Sequence, residues 1–435
     1  MMAARNSTPT AALAAVCGLS ACAGGDDGAA VGLDTVAERA QQLPTVVSMF
    51  SRPPASPAST QWPVLLSHAW SRTADTTFQG DTKVSGGEYD AYGVKTALEA
   101  DGVIVYQPNK MMYGSHEDRG SLLYKRCAGD TLDARLCKGR APVVEDGFYA
   151  AMVDYCGSPV NREKHGFTSE GECYQKVKFN IICHSQGCPD SRYMMSAITN
   201  ELTGRPLYQN VASWTSLLGA NKGTAQADFV IEASASCLSD QCESPLLDLA
   251  FAVDEYSGNR FLNAEGSKSV VALSTKYMTV TTDMNCDPGK QTCPPSFNQR
   301  YPLPEDLAHP IYYQTFSTSI LDITHPCYQK DQFFWRIILD REGENDGNIS
   351  VTSQAFEFYG PGSTGGRTPV KARYVYGDSL TTTRSHPGLN HMSLSSSDVP
   401  GLPGVSCMGE DNSDFAFSRI NFYRNVVTEL ANLGL

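Results

Sequence analysis

The chain has 435 residues, of which 41% are hydrophobic and 19% charged, a composition typical of a folded globular protein rather than a disordered one. Its formal net charge of −13 argues against nucleic acid or an anionic membrane surface as a partner. No run of 18 apolar residues occurs, so no segment is predicted to span a membrane. The length allows two or three domains, although α/β folds often reach this size as one domain with insertions.

The first 22 residues have the pattern of an export signal. Arg5 provides a positive start, and a short apolar stretch over residues 11–19 leads to small residues before Cys22. This ending resembles a bacterial lipobox, in which Cys22 is lipidated. We therefore predict a lipoprotein signal peptide over residues 1–22 and membrane attachment through Cys22, with an ordinary signal peptide as the alternative. The protein is then an exported cell-surface or outer-membrane lipoprotein, or a secreted protein.

The fourteen cysteines also favour export, because disulfides form in oxidising compartments. Setting aside Cys17 and Cys22 leaves twelve, an even number. Neighbours along the chain give five candidate pairs, with Cys327 and Cys407 left over: Cys127/Cys137, Cys156/Cys173, Cys183/Cys188, Cys237/Cys242 and Cys286/Cys293. Spacing alone does not settle the connectivity. No pair has C-x-x-C spacing with histidines nearby, which argues against a zinc site.

Residues 23–60 are predicted to be a flexible linker, and residues 61–435 the folded domain. The segment 62–70 reads as a buried strand that runs into a polar loop, where the backbone N–H of Trp70 is a candidate oxyanion donor. A helix is predicted over residues 89–100, a buried strand over 102–106, and another helix after the cap-type Ser115. Residues 127–173 hold four cysteines and little periodicity, and are predicted to be a disulfide-stapled insertion.

The stretch 178–188 organises the rest of the chain. An apolar run over residues 179–183 meets a small polar turn with Ser185 at its apex, and a helix is predicted over 190–202. This is the layout of a nucleophile elbow, which lifts the hydroxyl above the sheet and leaves the N–H of Gln186 free for an oxyanion. Gly187 supplies the small residue needed where strand and helix pass close together. The alternative is an ordinary Ser-Gly turn between a core strand and a helix.

Another strand is predicted over residues 211–218, before a loop that starts at Gly219. Strands that alternate with helices predict a mostly parallel sheet covered on both faces. In such sheets the site lies at the carboxyl ends of the strands, where Trp70, Ser185 and Gly219 all fall. Residues 225–330 form a long excursion that we predict to be a cap or lid, with a structural insertion as the alternative.

The C-terminal part supplies candidates for an acid and a base. The apolar run 333–339 reads as a buried strand and precedes Asp346 in a turn. Two histidines, His386 and His391, come late in the chain, and a final helix is predicted over residues 415–433. A serine hydroxyl needs a base to take its proton, and a carboxylate fixes the tautomer of that base. We predict His391 as the base, because Pro387 restricts His386 to an extended conformation.

Other ionisable residues remain as rivals or as structural groups. Asp340, directly after the predicted strand, and Asp378 compete with Asp346 for the role of acid. His184 is adjacent to the candidate nucleophile but is predicted to point away from it. His309 and His325 each precede a proline and are predicted to be structural.

The order Ser185, Asp346, His391 matches the Ser…Asp…His order of α/β-hydrolases. More specifically, the chain resembles the bacterial true lipases, lipolytic family I. The similar segments extend from about Pro63 to the C-terminal helix: Cys183-His184-Ser185-Gln186-Gly187, close to the family's G-H-S-Q-G; Arg192-Tyr193; Val211-Ala212-Ser213-Trp214-Thr215-Ser216 with Gly219 and Lys222-Gly223-Thr224; Asp228-Phe229-Val230; Asn345-Asp346-Gly347 with Val351; and Asn390-His391.

The resemblance implies an α/β-hydrolase fold, with a mostly parallel central sheet, helices on both faces, disulfide-rich insertions and a cap or lid. It implies Ser185 as nucleophile, Asp346 as acid and His391 as base, with Trp70 and Gln186 donating the oxyanion-hole N–H groups. The chain departs from the family pattern at several places: Cys183 replaces the glycine before the elbow, Ala69 replaces the glycine after His68, and Ala220-Asn221-Lys222-Gly223 replaces T-P-H-R-G. The step from Asp346 to His391 is also longer than in the family.

Family members also carry an aspartate, two residues after the histidine, that helps to bind calcium. This chain has Ser393 there, so we predict no required cofactor and leave a structural calcium ion as the alternative. Family relatives can need a membrane-anchored folding chaperone, which is a further possible partner. The predicted function is an exported serine ester hydrolase acting on lipid or other apolar acyl esters. The alternatives are a carboxylesterase or polyester hydrolase with an open site, and a non-catalytic surface lipoprotein with this fold.

Overall fold

The computed structural model describes residues 54–72, 74–78, 93–127, 144–236, 262–328, 331–356, 370–375, 388–395 and 419–435. Several predictions fall outside these ranges: the signal peptide with Cys22, nearly all of the linker, Asp378 and His386. Cys137, Cys237, Cys242 and Cys407 also lie outside the described residues. Within the described ranges, no helix combines the length and the apolar character needed to cross a bilayer.

A six-stranded parallel sheet lies at the centre of the described structure, in the order β10-β9-β8-β5-β1-β2. Its strands are β1 (Val64–Ser67), β2 (Val105–Tyr106), β5 (Phe179–His184), β8 (Val211–Leu217), β9 (Tyr312–Ser317) and β10 (Val370–Tyr374). Two short antiparallel ribbons lie outside it, β3 (Arg126–Cys127) with β4 (Val144–Asp146), and β6 (Thr199–Asn200) with β7 (Arg205–Pro206).

The central strands are buried on both faces. Every residue of β5 and β8 is buried, as expected for a parallel sheet covered on both sides. Alternate side chains point to opposite faces, so Leu66 and Ile182 enter one core cluster while Leu65 and Ile181 enter the other. The sheet therefore separates two apolar layers, each of which needs helices to cover it.

Helices pack against both layers. The C-terminal helix contributes Phe422 and Val426 to one cluster, and the helix Phe148–Gly157 contributes Met152 and Tyr155 to the other. The described helices are Ala74–Phe78, Val94–Ala100, His116–Tyr124, Phe148–Gly157, Pro159–Lys164, Glu170–Lys176, Gly187–Ala197, Ala225–Ser236, Leu262–Leu273, Thr275–Thr279, Phe297–Arg300, Gln332–Glu342, Val351–Ala355 and Arg419–Asn432, with 3-10 turns at Leu207–Asn210 and Pro326–Tyr328. The predicted α/β-hydrolase fold, with helices on both faces of a mostly parallel sheet, is confirmed.

The prediction of a buried strand over residues 333–339 is wrong, because this stretch lies within the helix Gln332–Glu342. Phe333, Arg336 and Asp340 are exposed along one face, while Ile338 is buried on another. A run of seven residues, six of them apolar or aromatic, is ambiguous between strand and helix when its exposed and buried faces are unknown.

The predicted cap, the predicted insertion and the predicted helix after Ser185 also need correction. The predicted cap over residues 225–330 cannot reach residue 330, because Tyr312–Ser317 is strand β9, which pairs with β8 inside the central sheet. The predicted insertion over 127–173 is not merely a loop stapled by cysteines, since the helix Phe148–Gly157 within it forms part of the core. The helix after Ser185 runs over Gly187–Ala197 rather than 190–202.

Three of the predicted cysteine pairs form disulfides in the structure. They are Cys156–Cys173, Cys183–Cys188 and Cys286–Cys293, with Cα–Cα distances of 5.6, 4.9 and 5.8 Å. The Cys183–Cys188 bridge joins the end of β5 to the first turn of the following helix. It therefore braces the turn that contains Ser185, as the sequence predicted.

Candidate active site

Ser185 lies in the turn between β5 and the helix Gly187–Ala197, which we call the elbow helix. Its φ of 56° is in the left-handed region, which a residue with a side chain rarely adopts. Backbone hydrogen bonds hold this conformation: the N–H of Ser185 donates to the carbonyl of Leu217 at 3.0 Å, and its carbonyl accepts from Cys188 at 3.1 Å. The turn presents the serine hydroxyl beyond the end of the strand, and the residue is only 6% exposed.

Gly187 is required by a close backbone contact. A Cβ at this position would lie 2.4 Å from the carbonyl oxygen of Ser67 and 2.6 Å from that of His68. The predicted close approach of strand and helix is therefore present. It places the loop after β1 directly against the start of the elbow helix.

Left-handed residues also follow the two strands that flank β5. Ser71, four residues after β1, has a φ of 55°, and Leu218, directly after β8, has a φ of 49°. Together with Ser185, they occupy the loops at the carboxyl ends of three adjacent strands. Each such non-glycine residue costs on the order of 1–3 kcal/mol, so conformational strain surrounds this edge of the sheet.

His391 and Asp346 complete a continuous hydrogen-bonded chain with Ser185. The Nε2 atom of His391 lies 2.8 Å from Oγ of Ser185, and its Nδ1 atom lies 2.7 Å from Oδ2 of Asp346. A backbone bond of 2.9 Å from the N–H of His391 to the carbonyl of Asp346 fixes the two segments together. The structure thus brings together the three residues that the sequence singled out, although they lie far apart along the chain.

The carboxylate of Asp346 is fully buried and its second oxygen is also occupied. Its Oδ1 accepts backbone N–H groups from Asn348 at 3.0 Å and Ile349 at 2.8 Å. These bonds leave Oδ2 directed at the imidazole. Because Oδ2 can only accept, Nδ1 of His391 carries the proton and Nε2 presents its lone pair to the serine hydroxyl.

His184 supports the imidazole of His391 from behind. Its Nε2–H donates to the carbonyl of His391 at 3.1 Å, and the two ring centroids are 4.9 Å apart. Burial, followed by the nearby His391, lowers the pKa of His184 well below its ordinary value. Its Nδ1 has no hydrogen-bond partner among the described residues, which fits a neutral ring. In the described structure His184 bonds to the backbone of His391 and has no recorded bond to the hydroxyl of Ser185.

The rival residues lie elsewhere. Asp340 is on the exposed face of its helix, and His309 pairs with Asp306 at 2.9 Å. His325 lies next to a 3-10 turn, and its ring centroid is 5.9 Å from that of Tyr328. None of these three side chains has a recorded bond to Ser185 or His391 in the described part of the chain.

The two predicted oxyanion donors are the residue after Ser185 and a residue in the loop after β1. Gln186 is the N-cap residue of the elbow helix, where backbone N–H groups have no intrahelical acceptor. Trp70 follows the loop that packs on Gly187. Its ring packs edge-on against the ring of Tyr113, with the two ring centroids 5.4 Å apart. Immediately after it, the N–H of Ser71 donates to the carbonyl of Met112 at 3.0 Å, which holds this loop against residues 111–113.

A buried ion cluster beside the elbow was not predicted from the sequence. Asp190, in the first turn of the elbow helix, lies 2.7 Å from Nε of Arg119, 3.1 Å from Nζ of Lys110 and 3.1 Å from Nδ1 of His116. All four side chains have 0% exposure. A signal did exist: Arg119 precedes Leu122 and Leu123 by three and four residues, which places it on the apolar face of its helix.

The two basic side chains of Arg119 and Lys110 differ in how firmly they keep their charge beside Asp190. Burial raises the pKa of Asp190, but Arg119 and Lys110 outweigh that effect and hold the pKa well below its usual range. Burial lowers the pKa of Lys110 to about 7, against the attraction of Asp190. The guanidinium of Arg119 is therefore the permanent partner of the carboxylate, since arginine does not lose its proton in proteins.

Position 393, where the resemblance would place a calcium-binding aspartate, is a serine in this chain. Ser393 supplies a hydroxyl in place of a carboxylate, and its Oγ lies 3.2 Å from the side-chain oxygen of Asn390 within the same turn. In the part of the chain that the structure describes, no group of three or more His, Cys, Asp or Glu side chains is arranged to hold a metal. Calcium ligands are mostly carboxylate and carbonyl oxygens, and position 393 contributes neither from its side chain.

Comparison with known proteins finds similar folds but no close relative. No protein-family model and no curated protein matches the chain. EstA from Clostridium botulinum is 15% identical, with a TM-score of 0.47, over 91% of this chain and 94% of that one. Lipase 1 from Pelosinus fermentans is 14% identical, with a TM-score of 0.48, over 86% and 100%. The Staphylococcus hyicus lipase is 13% identical, with a TM-score of 0.43, over 88% and 97%.

Two of these three similar structures are named as bacterial lipases, and a likeness at 13–15% identity concerns the fold alone.

Proposed function

We propose that this protein is a serine ester hydrolase that cleaves apolar acyl esters, such as triacylglycerols, through an acyl-enzyme. One observation carries the proposal: the unbroken chain of hydrogen bonds from Ser185 to His391 to Asp346, with lengths of 2.8 and 2.7 Å. It lies at the carboxyl edge of a parallel sheet, where ligands bind in open α/β folds.

In the proposed reaction, Nε2 of His391 takes the proton from Ser185 while Oγ attacks the ester carbonyl. Asp346 holds the imidazole in the required tautomer and stabilises the imidazolium that forms. The backbone N–H groups of Gln186 and Trp70 donate to the oxyanion of the tetrahedral intermediate. His391 then protonates the leaving alcohol, and in a second half-reaction it activates the water that releases the acid.

The disulfides support an exported protein. Cys156–Cys173, Cys183–Cys188 and Cys286–Cys293 are bridged in the folded chain, and such bonds persist in oxidising compartments. Lipidation of Cys22 and dependence on a folding chaperone remain proposals drawn from the sequence. Mass spectrometry of the mature protein, purified from membranes, tests the first of these.

Replacement of the nucleophile tests the proposed reaction. With a p-nitrophenyl acyl ester, Ser185→Ala is expected to reduce kcat by at least about 10,000-fold, because no other group can form the acyl-enzyme. A fluorophosphonate should label the parent protein and not this variant. Ser196→Ala is the matched control, since Ser196 lies on the same helix and, among the described residues, its hydroxyl donates to the carbonyls of Arg192 and Pro302.

Two other outcomes decide between the alternatives. If the parent neither hydrolyses the ester nor reacts with the fluorophosphonate, the protein is no serine hydrolase and the non-catalytic lipoprotein stands. Hydrolysis by Ser185→Ala at the parent rate would mean instead that Ser185 is not the nucleophile. If the parent cleaves short-chain or polyester substrates and gains nothing from an oil–water interface, it is a carboxylesterase or polyester hydrolase rather than a lipase.

A further inference from the structure

We infer that Arg119 and Asp190 are positioning residues that fix the separation of the two oxyanion donors, Trp70 and Gln186. This inference rests on the proposed function, because it concerns the same site. The two residues form a buried bridge between the loop that leads to Trp70 and the helix that begins after Gln186. Neither residue contacts Ser185, His391 or Asp346 through any recorded bond in the described structure.

Arg119 holds the loop of the first donor. Its Nη2 donates to the carbonyls of His68 and Ala69, at 3.1 and 3.0 Å, which are the two carbonyls that precede Trp70. Its Nη1 donates to the carbonyls of Met111 and Met112, at 2.6 and 2.7 Å. One guanidinium thus binds four backbone oxygens from two segments that meet beside Trp70.

Asp190 connects the same guanidinium to the second donor. Its Oδ2 accepts from Nε of Arg119 at 2.7 Å, and it lies one turn along the elbow helix from Gln186. A displacement of the elbow helix therefore pulls on Arg119, and through it on the carbonyls of His68 and Ala69. The two oxyanion donors are linked by one ion pair.

Further bonds remove the remaining freedom of the loop. Ser67 donates from Oγ to the carbonyl of Gly187 at 2.9 Å and accepts from Nζ of Lys110 at 2.7 Å. The ring of His68 bonds through Nδ1 to the carbonyl of Ala69 at 3.0 Å and accepts from the N–H of Lys110 at 3.1 Å. The loop before Trp70 is therefore fixed by side chains as well as by its contact with Gly187.

The physical cost of the cluster also argues for a role beyond stability. Burying charged groups costs several kcal/mol per ion, and well-packed apolar residues often replace such a cluster without loss of stability. Oxyanion donors, by contrast, are effective only when they are held in place before the charge develops. A rigid guanidinium fork that binds several carbonyls at once supplies that constraint, whereas a lysine ammonium does not.

The test is Arg119→Lys, which keeps the charge but cannot reach the carbonyls and Asp190 together. We expect kcat per active site, titrated with a fluorophosphonate, to fall about tenfold to hundredfold, since a misplacement of about 1 Å has that effect. KM should change by less than threefold. A trifluoromethyl ketone, which forms a tetrahedral oxyanion with the serine, should bind more weakly by the same factor as kcat falls.

Arg373→Lys is the matched control. Arg373 pairs with Glu429 of the C-terminal helix, its side chain is 4% exposed, and it lies on the outermost strand, β10. This variant should lower the midpoint of thermal unfolding while it leaves kcat per titrated site at the parent value. If Arg119→Lys does not fold, Asp190→Glu replaces it with the same readouts, because it shifts the carboxylate while keeping its charge.

The outcomes separate this inference from the proposed function. If the parent is active and either folded variant has the parent kcat per titrated site, with loss of stability alone, the positioning role is overturned. If the parent neither hydrolyses esters nor reacts with the fluorophosphonate, the proposed function fails and the inference fails with it. A fall in kcat that is matched by weaker ketone binding supports the positioning role.

Discussion

Two buried carboxylates flank Ser185, and their surroundings differ. Asp346 faces one imidazole and two backbone N–H groups, whereas Asp190 faces Arg119, Lys110 and His116. An imidazole can change its charge near neutral pH, while a guanidinium cannot. A carboxylate is thus suited to supporting an imidazole in proton transfer at Asp346, and to holding backbone segments in place at Asp190.

The largest expected effect separates the two carboxylates by activity. Asp346→Asn should reduce kcat by about 10,000-fold, because the amide stabilises the wrong tautomer of His391 and leaves the geometry intact. Its free energy of unfolding should change little, since the amide oxygen can still accept from Asn348 and Ile349. Steady-state kinetics with titrated active sites and urea unfolding measure the two quantities. A loss of less than tenfold in kcat would remove Asp346 from the proposed mechanism.

The second effect separates them by stability. Asp190→Asn should reduce the free energy of unfolding by about 3–5 kcal/mol, because it leaves the guanidinium of Arg119 buried without its counterion. Urea unfolding of the parent, Asp190→Asn and Asp346→Asn at pH 8 measures the difference. Should Asp346→Asn prove the more destabilising of the two variants, the division into a proton-transfer carboxylate and a structural carboxylate would be wrong.

The smallest effect concerns pH, because two buried histidines, His184 and His68, have lowered pKa values. Burial lowers the pKa of His184, and burial followed by Lys110 and Arg119 lowers that of His68, both well below the ordinary 6.5. Below pH 6.5 these two histidines bind protons in the unfolded chain but not in the folded chain. The contribution of the two neutral histidines to the free energy of unfolding is therefore complete above pH 6.5 and is lost as the pH falls.

For each histidine the slope is at most about 1.4 kcal/mol per pH unit. His184→Gln should reduce the pH dependence of the unfolding free energy between pH 5 and pH 6.5 by up to that amount. Urea titrations at several pH values in that range measure it. An unchanged slope would mean that His184 takes up a proton in the folded protein as readily as in the unfolded one.

The proton-transfer side could be predicted from the sequence, because its signals are local. Ser185 stands between an apolar run and a helix with a small residue two positions later, and such a turn has few other structural explanations. Asp346 and His391 then follow in the order expected of this fold. The final geometry required long-range pairing of strands β8 and β9, which orders the segments that carry the acid and the base.

The structural side could not be predicted, because its members are distant and charged. Lys110, Arg119 and Asp190 are separated by up to 80 positions, and charged residues are almost always exposed unless they are paired. No local sequence pattern indicated that these three side chains contact one another.

The helix Gln332–Glu342 was misinterpreted for a related reason. Most of its apolar residues are only partly buried, and the sequence alone does not show which neighbours cover them.

The left-handed backbone at Ser71, Ser185 and Leu218 has a consequence for how such a protein adapts to heat. These residues lie at the ends of three adjacent strands. Substitution by glycine, or a change of loop conformation, would relieve the backbone strain at each of them. Selection for thermal stability alone would therefore favour changes in these loops, and we expect the reaction proposed for Ser185 to weaken before the sheet itself is affected.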